Sequence, residues 1–533
     1  MAPAIGVLLA GILLSLYFTL ERIWPLPRNG RKTRWRPPSV YPARPSPEWG
    51  RTASPSSFRD PISMPGDDAV DKYKKLLSNT LIFAIGTFSS KLLVFFLTRL
   101  YTAVLTQEEY GIVDMIQQSG NLLLPLVTLG ITNAVVRFGL DRGVKKSHVF
   151  TTGLLSIGAG FLLLMLLSPL LGLFDFLSGH VYLLCSFVLT SSLRSLCAQF
   201  VRAKGAVRLF ALDGILSTLT TILFNILYLV VFRMGVFGYI FSMICSDILS
   251  VLFLFVMSNL RRYIRFRGLD RNIAKSMLLF SIPLIPNTIL WWITNMSDRY
   301  IISMVLGAAF TGLYVAAYKI PSLVMLVSGI FMDAWQISAI TEQKARDRFY
   351  TKVVDIYSML LFVIASGAIL MTRVIPLVLF DKSYYDAWRY IPLPVVSIVF
   401  TCLVNFLGSI YMVEKRSIRS LLTAMLSAVI NIALNLWLIP LYGVNGAAAA
   451  TLVCYVVVFV VRLVDTRKFV RIKWDYFRLI LNAAVLMTQC YCVLREVPYW
   501  ILYELALFAL MLLVNGRGLM VGVKRLFRKK PAG

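Results

Sequence analysis

Lys91, Arg194 and Lys319, together with Asp114, Asp247 and Asp333, stand inside long apolar runs. An ionisable side chain at the centre of a membrane helix costs about 2.5–3.5 kcal/mol on insertion scales, so such groups face a cavity or a partner rather than lipid. The chemistry open to the cations is binding rather than bond-making. Lys and Arg are the usual partners of phosphate groups, and a cationic cavity with low-dielectric walls draws in anions. Thr80, Thr87, Lys91, Thr98 and Thr102 are spaced by 7, 4, 7 and 4 residues, and Asn287, Trp291, Thr294 and Asp298 by 4, 3 and 4. Each set shares one helix face. Such polar stripes either line a cavity or join packed helices by hydrogen bonds.

Six residues form the candidate substrate-binding set: Lys91, Arg99, Arg194, Lys319, Asn287 and Trp291. Arg194 either faces the cavity or pairs with Asp213 or Asp247. Arg299 is expected to snorkel toward headgroups beside Asp298. Asp247, Asp114 and Asp333 are the carboxylates that could couple transport to an ion gradient, and each is equally placed to be a structural hydrogen-bond partner. Lys319 precedes Pro321, and Pro283 and Pro286 open the seventh apolar stretch. Proline inside a span frees backbone carbonyls and permits a hinge.

The elements that must position these residues are membrane spans. Of 533 residues 58% are hydrophobic and 15% charged, and the mean hydropathy is +0.74. Soluble domains are roughly half apolar and a quarter charged, so water-soluble cores could not hide this much apolar side chain. Fourteen stretches between residues 79 and 515 are long and apolar enough to span. Cytoplasmic loops collect Lys and Arg. Alternate loops here hold 35 basic residues against 6 in the opposite set, with Arg462 counted among the former. Both ends of the fourteen-helix region are therefore expected in the cytoplasm. The excess of 54 Lys and Arg over 26 Asp and Glu is a topology signal, and no nucleic-acid partner is implied.

Residues 1–63 differ. Ala2–Leu20 is apolar, but Arg22–Ser63 is rich in Pro, Arg and Ser, a composition of disorder. This segment is either an anchor and extension or lies upstream of a start at Met64. The seven cysteines all fall inside spans, where free Cys is a small hydrophobe, and Cys490-x-Cys492 lacks the second pair or His that a metal site needs. Of two histidines, His148 is expected at a cytoplasmic helix start and His180 in an outer loop, which leaves no membrane-embedded histidine for catalysis. No P-loop occurs, so ATP hydrolysis is not expected. Neither cofactor nor metal is expected, beyond coupling to a proton or sodium gradient.

Four pairs of local patterns recur in order with offsets of 200–210 residues. They are Arg99-Leu-Tyr with Arg299-Tyr300, Tyr110-Gly111 with Gly312-Leu-Tyr314, Phe224-Asn225 with Leu434-Asn435, and Gly235-Val-Phe-Gly238 with Gly443-Val-Asn-Gly446. An even number of spans per repeat makes it parallel, which puts substrate between two bundles near the mid-membrane. The expected domains are 64–260 (helices 1–6), 261–470 (helices 7–12) and 471–533 (two extra helices and a basic tail).

The runs Thr106-Gln-Glu-Glu-Tyr110-Gly111, Asp298-Arg-Tyr-Ile-Ile302 through Gly312-Leu-Tyr-Val-Ala-Ala-Tyr-Lys319, and Gly443-Val-Asn-Gly446 resemble the signatures of polysaccharide-export flippases of the Wzx type. These belong to the multidrug/oligosaccharidyl-lipid/polysaccharide exporter superfamily. The resemblance covers about residues 76–515. It implies an all-α polytopic membrane protein, with two six-helix lobes in a V around a central cavity plus two extra C-terminal helices. It also implies the bacterial inner membrane, and movement of an undecaprenyl-(pyro)phosphate-linked oligosaccharide by alternating access, with membrane lipids and polysaccharide assembly proteins as further partners. Two rival readings are an ion-coupled drug or metabolite exporter of the same fold and a membrane-embedded glycan polymerase or ligase. Flipping of the peptidoglycan precursor is a third use of the same chemistry.

Overall fold

A computed structural model describes residues 97–527 except 142, 178, 267–269, 342–345 and 415. Lys91, Thr80 and Thr87 lie outside the described residues, as does most of the first expected span; its end is helical over 97–104. Every regular element among the described residues is helical. Besides short 3-10 and π segments such as Lys382–Tyr390, the α-helices in order are α1 (Gln107–Val127), α2 (Ile131–Leu140), α3 (Lys146–Leu171), α4 (Val181–Ala203), α5 (Val207–Asn225), α6 (Gly235–Met257), α7 (Arg271–Ser281) and α8 (Ile285–Leu306). There follow α9 (Ala308–Thr341), α10 (Arg346–Leu370), α11 (Val374–Leu379), α12 (Pro392–Val413), α13 (Ser417–Tyr442), α14 (Val444–Thr466), α15 (Tyr476–Leu494) and α16 (Trp500–Phe527). Among the described residues there are eleven candidate spans, or twelve if the bent pair α1–α2 is one span, and α16 adds a shorter apolar segment over Trp500–Gly516.

Local chemistry sets the ends. Thr106 accepts from the Glu109 N–H while the Glu109 carboxylate accepts from the Thr106 N–H. The Thr-Gln-Glu-Glu run is thus a capping box that starts α1. At the other end Pro125 removes an N–H from the last turn of α1, and Leu129 and Gly130 adopt positive φ of 51° and 62°. The chain turns by 53° into α2. The apolar pattern predicts one span over 112–136 here; the proline and two left-handed residues bend it. In the first bundle α4 packs on α3, α1 and α6, and α5 packs on α6. In the second, α14 packs on α12 and α13, α8 on α13 and α9, and α9 on α12. α12 is its spine: 83% of its apolar window is buried within the protein, so protein rather than lipid surrounds it. The added pair α15–α16 lies against α10, and α15 also touches α12. Elsewhere apolar side chains point outward, as with Leu162 and Leu166 of α3 at 72% and 75% exposure. A bilayer rather than water is their solvent.

Candidate functional site

The two bundles meet along α1 on one side and α8 and α9 on the other. The side that the charge pattern assigns to the exterior, where α1 and α9 begin, is called outer below. There Gly111 and Gly312 face each other at van der Waals limit. A Cβ on Gly111 would lie 2.1 Å from the Ala308 carbonyl oxygen, and one on Gly312 would lie 1.9 Å from that of Gln107. Only glycine on both helices allows this approach. The Tyr110-Gly111 and Gly312-Leu-Tyr314 patterns of the repeat are therefore the two halves of one seam.

About one helical turn further along α1, the Arg299 Nε of α8 lies 2.9 Å from Asp114 Oδ2, with both side chains under 10% exposed. The N–H is not aligned with the oxygen as a hydrogen bond, so the contact is one of charge. It contradicts the snorkelling expected of Arg299. Asp298 instead accepts from the Tyr314 hydroxyl at 2.6 Å, which leaves the arginine free to turn to the opposite bundle. Tyr300 donates to the Met115 carbonyl at 3.0 Å and lies 2.9 Å from the Ser119 hydroxyl. The Trp292 indole donates to the Gln118 carbonyl at 2.9 Å.

Below this latch the helices part. A cavity of about 210 Å³ opens between the bundles, lined from one side by Thr128, Thr132, Asn133 and Ser195 and from the other by Leu284, Ile285 and Thr288. The bend between α1 and α2 shapes it. The cleft is thus sealed at the outer half and hollow at the inner half.

The face that α8 turns to the cleft carries Ile285, Thr288, Trp292 and Arg299, spaced by 3, 4 and 7. The expected stripe Asn287, Trp291, Thr294 and Asp298 is shifted from it by one residue, about 100° around the helix. Trp291 and Thr294 line a small pocket inside the second bundle, and Asn287 is half-buried beside them in sequence. The helix carries two polar faces, and spacing alone does not say which one meets the other bundle.

Among the other expected site residues, Arg194 of α4 lies 3.0 Å from Asp247 and 3.9 Å from Asp213, and Ser191 donates to Asp247 as well. Arg194 keeps 31% side-chain exposure, so it is an ion-pair centre inside the first bundle with one edge open. Asp114 and Asp247, two of the three coupling candidates, are both held by arginines. Lys319 of α9 is half-buried, within electrostatic reach of the Tyr239 hydroxyl across the bundle interface, and has no carboxylate partner among the described residues. Arg99 is exposed and donates to the Val378 carbonyl at 2.5 Å, away from the cleft; its span ends at the outer rim. Thr98 and Thr102 are buried in protein, the helix-joining alternative for that stripe. The Asp333 side chain lies outside the described residues. All seven cysteines are free.

Two interior charges had gone unmarked. Arg462, counted with a cytoplasmic loop, is 2% exposed within α14. Glu504 of α16 is wholly buried and accepts from Gln489 of α15 at 2.8 Å, while Gln489 accepts from Ser366 of α10. For Glu504 the signal was present, a lone acid inside an apolar run. For Arg462 the neighbouring Asp465, Arg467 and Lys468 hid it.

This arrangement, two helical bundles around a cleft closed at one end, has the fold of several solved membrane proteins. The lipid II flippase MurJ in an inward closed conformation matches with a TM-score of 0.65 at 14% identity, over 84% of this chain and 100% of that one. An inward-facing multidrug resistance MATE family transporter matches at 0.59 and 15%, over 71% of this chain and 94% of that one; an outward-facing one matches at 0.53 and 16%, over 73% and 93%. No curated protein sequence matches this chain. Residues 76–336 match the family profile described as polysaccharide biosynthesis protein. The solved structures, all at 14–16% identity, show the fold, that of a multi-pass helical membrane protein.

Proposed function

We propose that this protein carries an anionic, polyprenyl-(pyro)phosphate-linked oligosaccharide from the cytoplasmic to the outer leaflet of the bacterial inner membrane. The observation that supports this most is the cleft itself, hollow toward the inner side and latched at the outer side by the buried Arg299–Asp114 charge pair; Lys319, elsewhere along the bundle interface, adds a half-buried cation with no carboxylate partner among the described residues. A phosphate head would exchange its water for such cations, while the polyprenyl tail stays in lipid. Lobes 64–260 and 261–470 would rock about the seam, as parallel-repeat transporters do. The arginine of the latch gives the substrate a direct means of opening it, because a phosphate drawn toward Arg299 competes with Asp114 for the same guanidinium. Protonation of Asp114 or Asp247 would loosen their arginines in the same way, which is how a proton gradient would act. Lys91, in the expected first span, would complete the cationic wall.

The test uses purified protein in liposomes that carry a lipid-linked oligosaccharide on one leaflet. A membrane-impermeant probe reads arrival of sugar on the other, with and without an ion gradient, beside a cationic dye. Sugar movement without dye movement is expected. Dye movement alone would replace this reading with cation export by the same fold. Equal movement of a peptidoglycan precursor would widen the substrate class to polyprenyl pyrophosphates generally.

A further inference from the structure

The second bundle is joined to the added pair by the connection 467–475, which runs from α14 to α15 on the inner side. Its residues alternate. Val470 and Ile472 are buried, and Trp474 packs its ring on Phe459 of α14 with centroids 5.5 Å apart. Between them Arg471 and Lys473 are exposed. The Arg471 N–H donates to the Asp347 carboxylate at 3.2 Å, and the Lys473 N–H donates to the Thr351 hydroxyl at 3.1 Å. Asp347 and Thr351 stand one turn apart on α10, so the connection lies along the first turns of that helix. The two anchors, about 6 Å apart along the helix axis, fix the spacing of Arg471 and Lys473.

Arg348 and Lys352 each follow one of these anchors on α10 and are exposed as well. Four cations are thereby set in two neighbouring rows, each with a repeat of about 6 Å. Among the described residues none of the four has a carboxylate within ion-pair distance. Asp347 is engaged by the Arg471 amide, Asp355 and Asp475 both pair with Arg478, and Asp465 pairs with Arg419 and Lys468. Loop charge that only sets orientation needs no fixed order. Here backbone bonds order the charge and leave it without counter-ions. The patch also meets lipid. Arg467, at the head of the connection, donates to the Tyr476 hydroxyl and lies 5.8 Å from the centre of its ring. The next residue, Phe477, is 78% exposed at the start of α15, and Ile480 one turn on is exposed too. On a membrane span such side chains face acyl chains, so the cations beside them stand at headgroup depth.

We infer that the start of α10 and the connection 467–475 together form a docking surface for the headgroup of an anionic phospholipid of the inner leaflet, and that a lipid with two phosphates fits it best. One phosphate takes charge-assisted bonds from a cation of each row, and a second phosphate on the same head engages the other two. Clusters of Lys and Arg next to a membrane helix draw anionic lipids, and the attraction fades within a Debye length of the surface. The bound lipid braces the joint that holds α15 and α16 to α10. The surface shares no residue with the cleft and does not depend on what the protein transports.

Its test needs no transported substrate. The full chain, purified in detergent, receives cardiolipin, phosphatidylglycerol or phosphatidylcholine, and native mass spectrometry reads which lipid stays bound. Cardiolipin is expected to be retained at the lowest concentration, phosphatidylglycerol at a higher one and phosphatidylcholine least. Arg348→Gln, Lys352→Gln, Arg471→Gln and Lys473→Gln combined in one variant are expected to weaken cardiolipin retention by about tenfold or more. An equal change of charge on another inner connection, combining Arg261→Gln, Arg265→Gln, Arg271→Gln and Lys275→Gln, is expected to leave it intact. Equal losses in the two variants overturn the inference, because net charge alone then holds the lipid. Phosphatidylcholine retained as strongly as cardiolipin also overturns it. A second reading uses only the unaltered chain: acylation of Lys352 and Lys473 by a water-soluble ester is expected to slow several-fold when cardiolipin is added, with Lys275 as the reference. Equal slowing of all three lysines refutes the site. Protection of Lys352 and Lys473 by inorganic phosphate alone would make it a soluble-anion site, and protection by polyglutamate a surface for an acidic protein; either result overturns the lipid assignment.

Discussion

The Asp114–Arg299 contact joins two bundles through two buried charges, so removing either partner strands the other. Breaking a buried pair from one side costs about 3–5 kcal/mol, whereas removing both charges costs much less. Asp114→Asn and Arg299→Gln are each expected to lower the melting temperature sharply, and the double variant to recover most of the loss. A double-mutant cycle in detergent decides this: additive single effects would mean that the two residues are not coupled. Lys319→Gln belongs to the opposite class. With no ion pair to break, it is expected to leave the melting temperature nearly unchanged while slowing movement of the anionic lipid by about ten- to a hundredfold, as loss of one charge-assisted contact of about 1.5–3 kcal/mol implies. Spacing had picked out Lys319 because it breaks an apolar run. It could not say that Arg299 would turn inward, because that depends on Tyr314 of the next helix occupying Asp298.

At the scale of elements the glycine seam carries the strongest expectation. Gly312→Val puts branched carbons where a carbonyl of the other bundle already sits, so α1 and α9 must separate at the outer end. The seam was half legible in the sequence: the two glycines stood out as repeat partners, but not as each other's contact. The short outer element has its own test. Asp381 begins the 3-10 segment Lys382–Tyr390 by accepting from the Ser383 N–H at 3.2 Å, and its own N–H donates to Thr102 at 3.1 Å. The Ser383 N–H holds its carboxyl below the usual carboxylate range. A carboxyl depressed in the folded state contributes its cap fully above its unfolded pKa and loses it as pH falls through the lower folded value. Amide exchange over Lys382–Tyr390, corrected for intrinsic rates, should therefore stay level from neutral pH to about 4 and quicken only below. Asp381→Asn should abolish that step.

For the whole molecule, the closed seam and the hollow inner half predict one-sided access. Ser195 lines the inner cavity. In a background with Cys245→Ser, which removes the one native thiol that is not buried, Ser195→Cys should react with an impermeant thiol reagent from the inner side and hardly at all from the outer. Adding Gly312→Val should raise outer labelling and lower inner labelling together. A rise on the outer side with no fall on the inner would mean that the seam is local packing and the bundles do not rock as bodies.

Apolar length determined, from the chain alone, that this protein is a many-span helical membrane protein, because a bilayer forces every span to hydrogen-bond within itself and to announce its length in hydropathy. The same logic marked Arg194, Asp114 and Asp247 as interior charges needing partners. Only the tertiary structure decided who those partners are. A helix such as α8 offers two polar faces a single residue apart, and which one meets the other bundle is settled by packing against α1 and α13. A positive residue near a helix end, such as Arg462, reads as a loop charge until Gly408 and Thr423, from two other helices, enclose it.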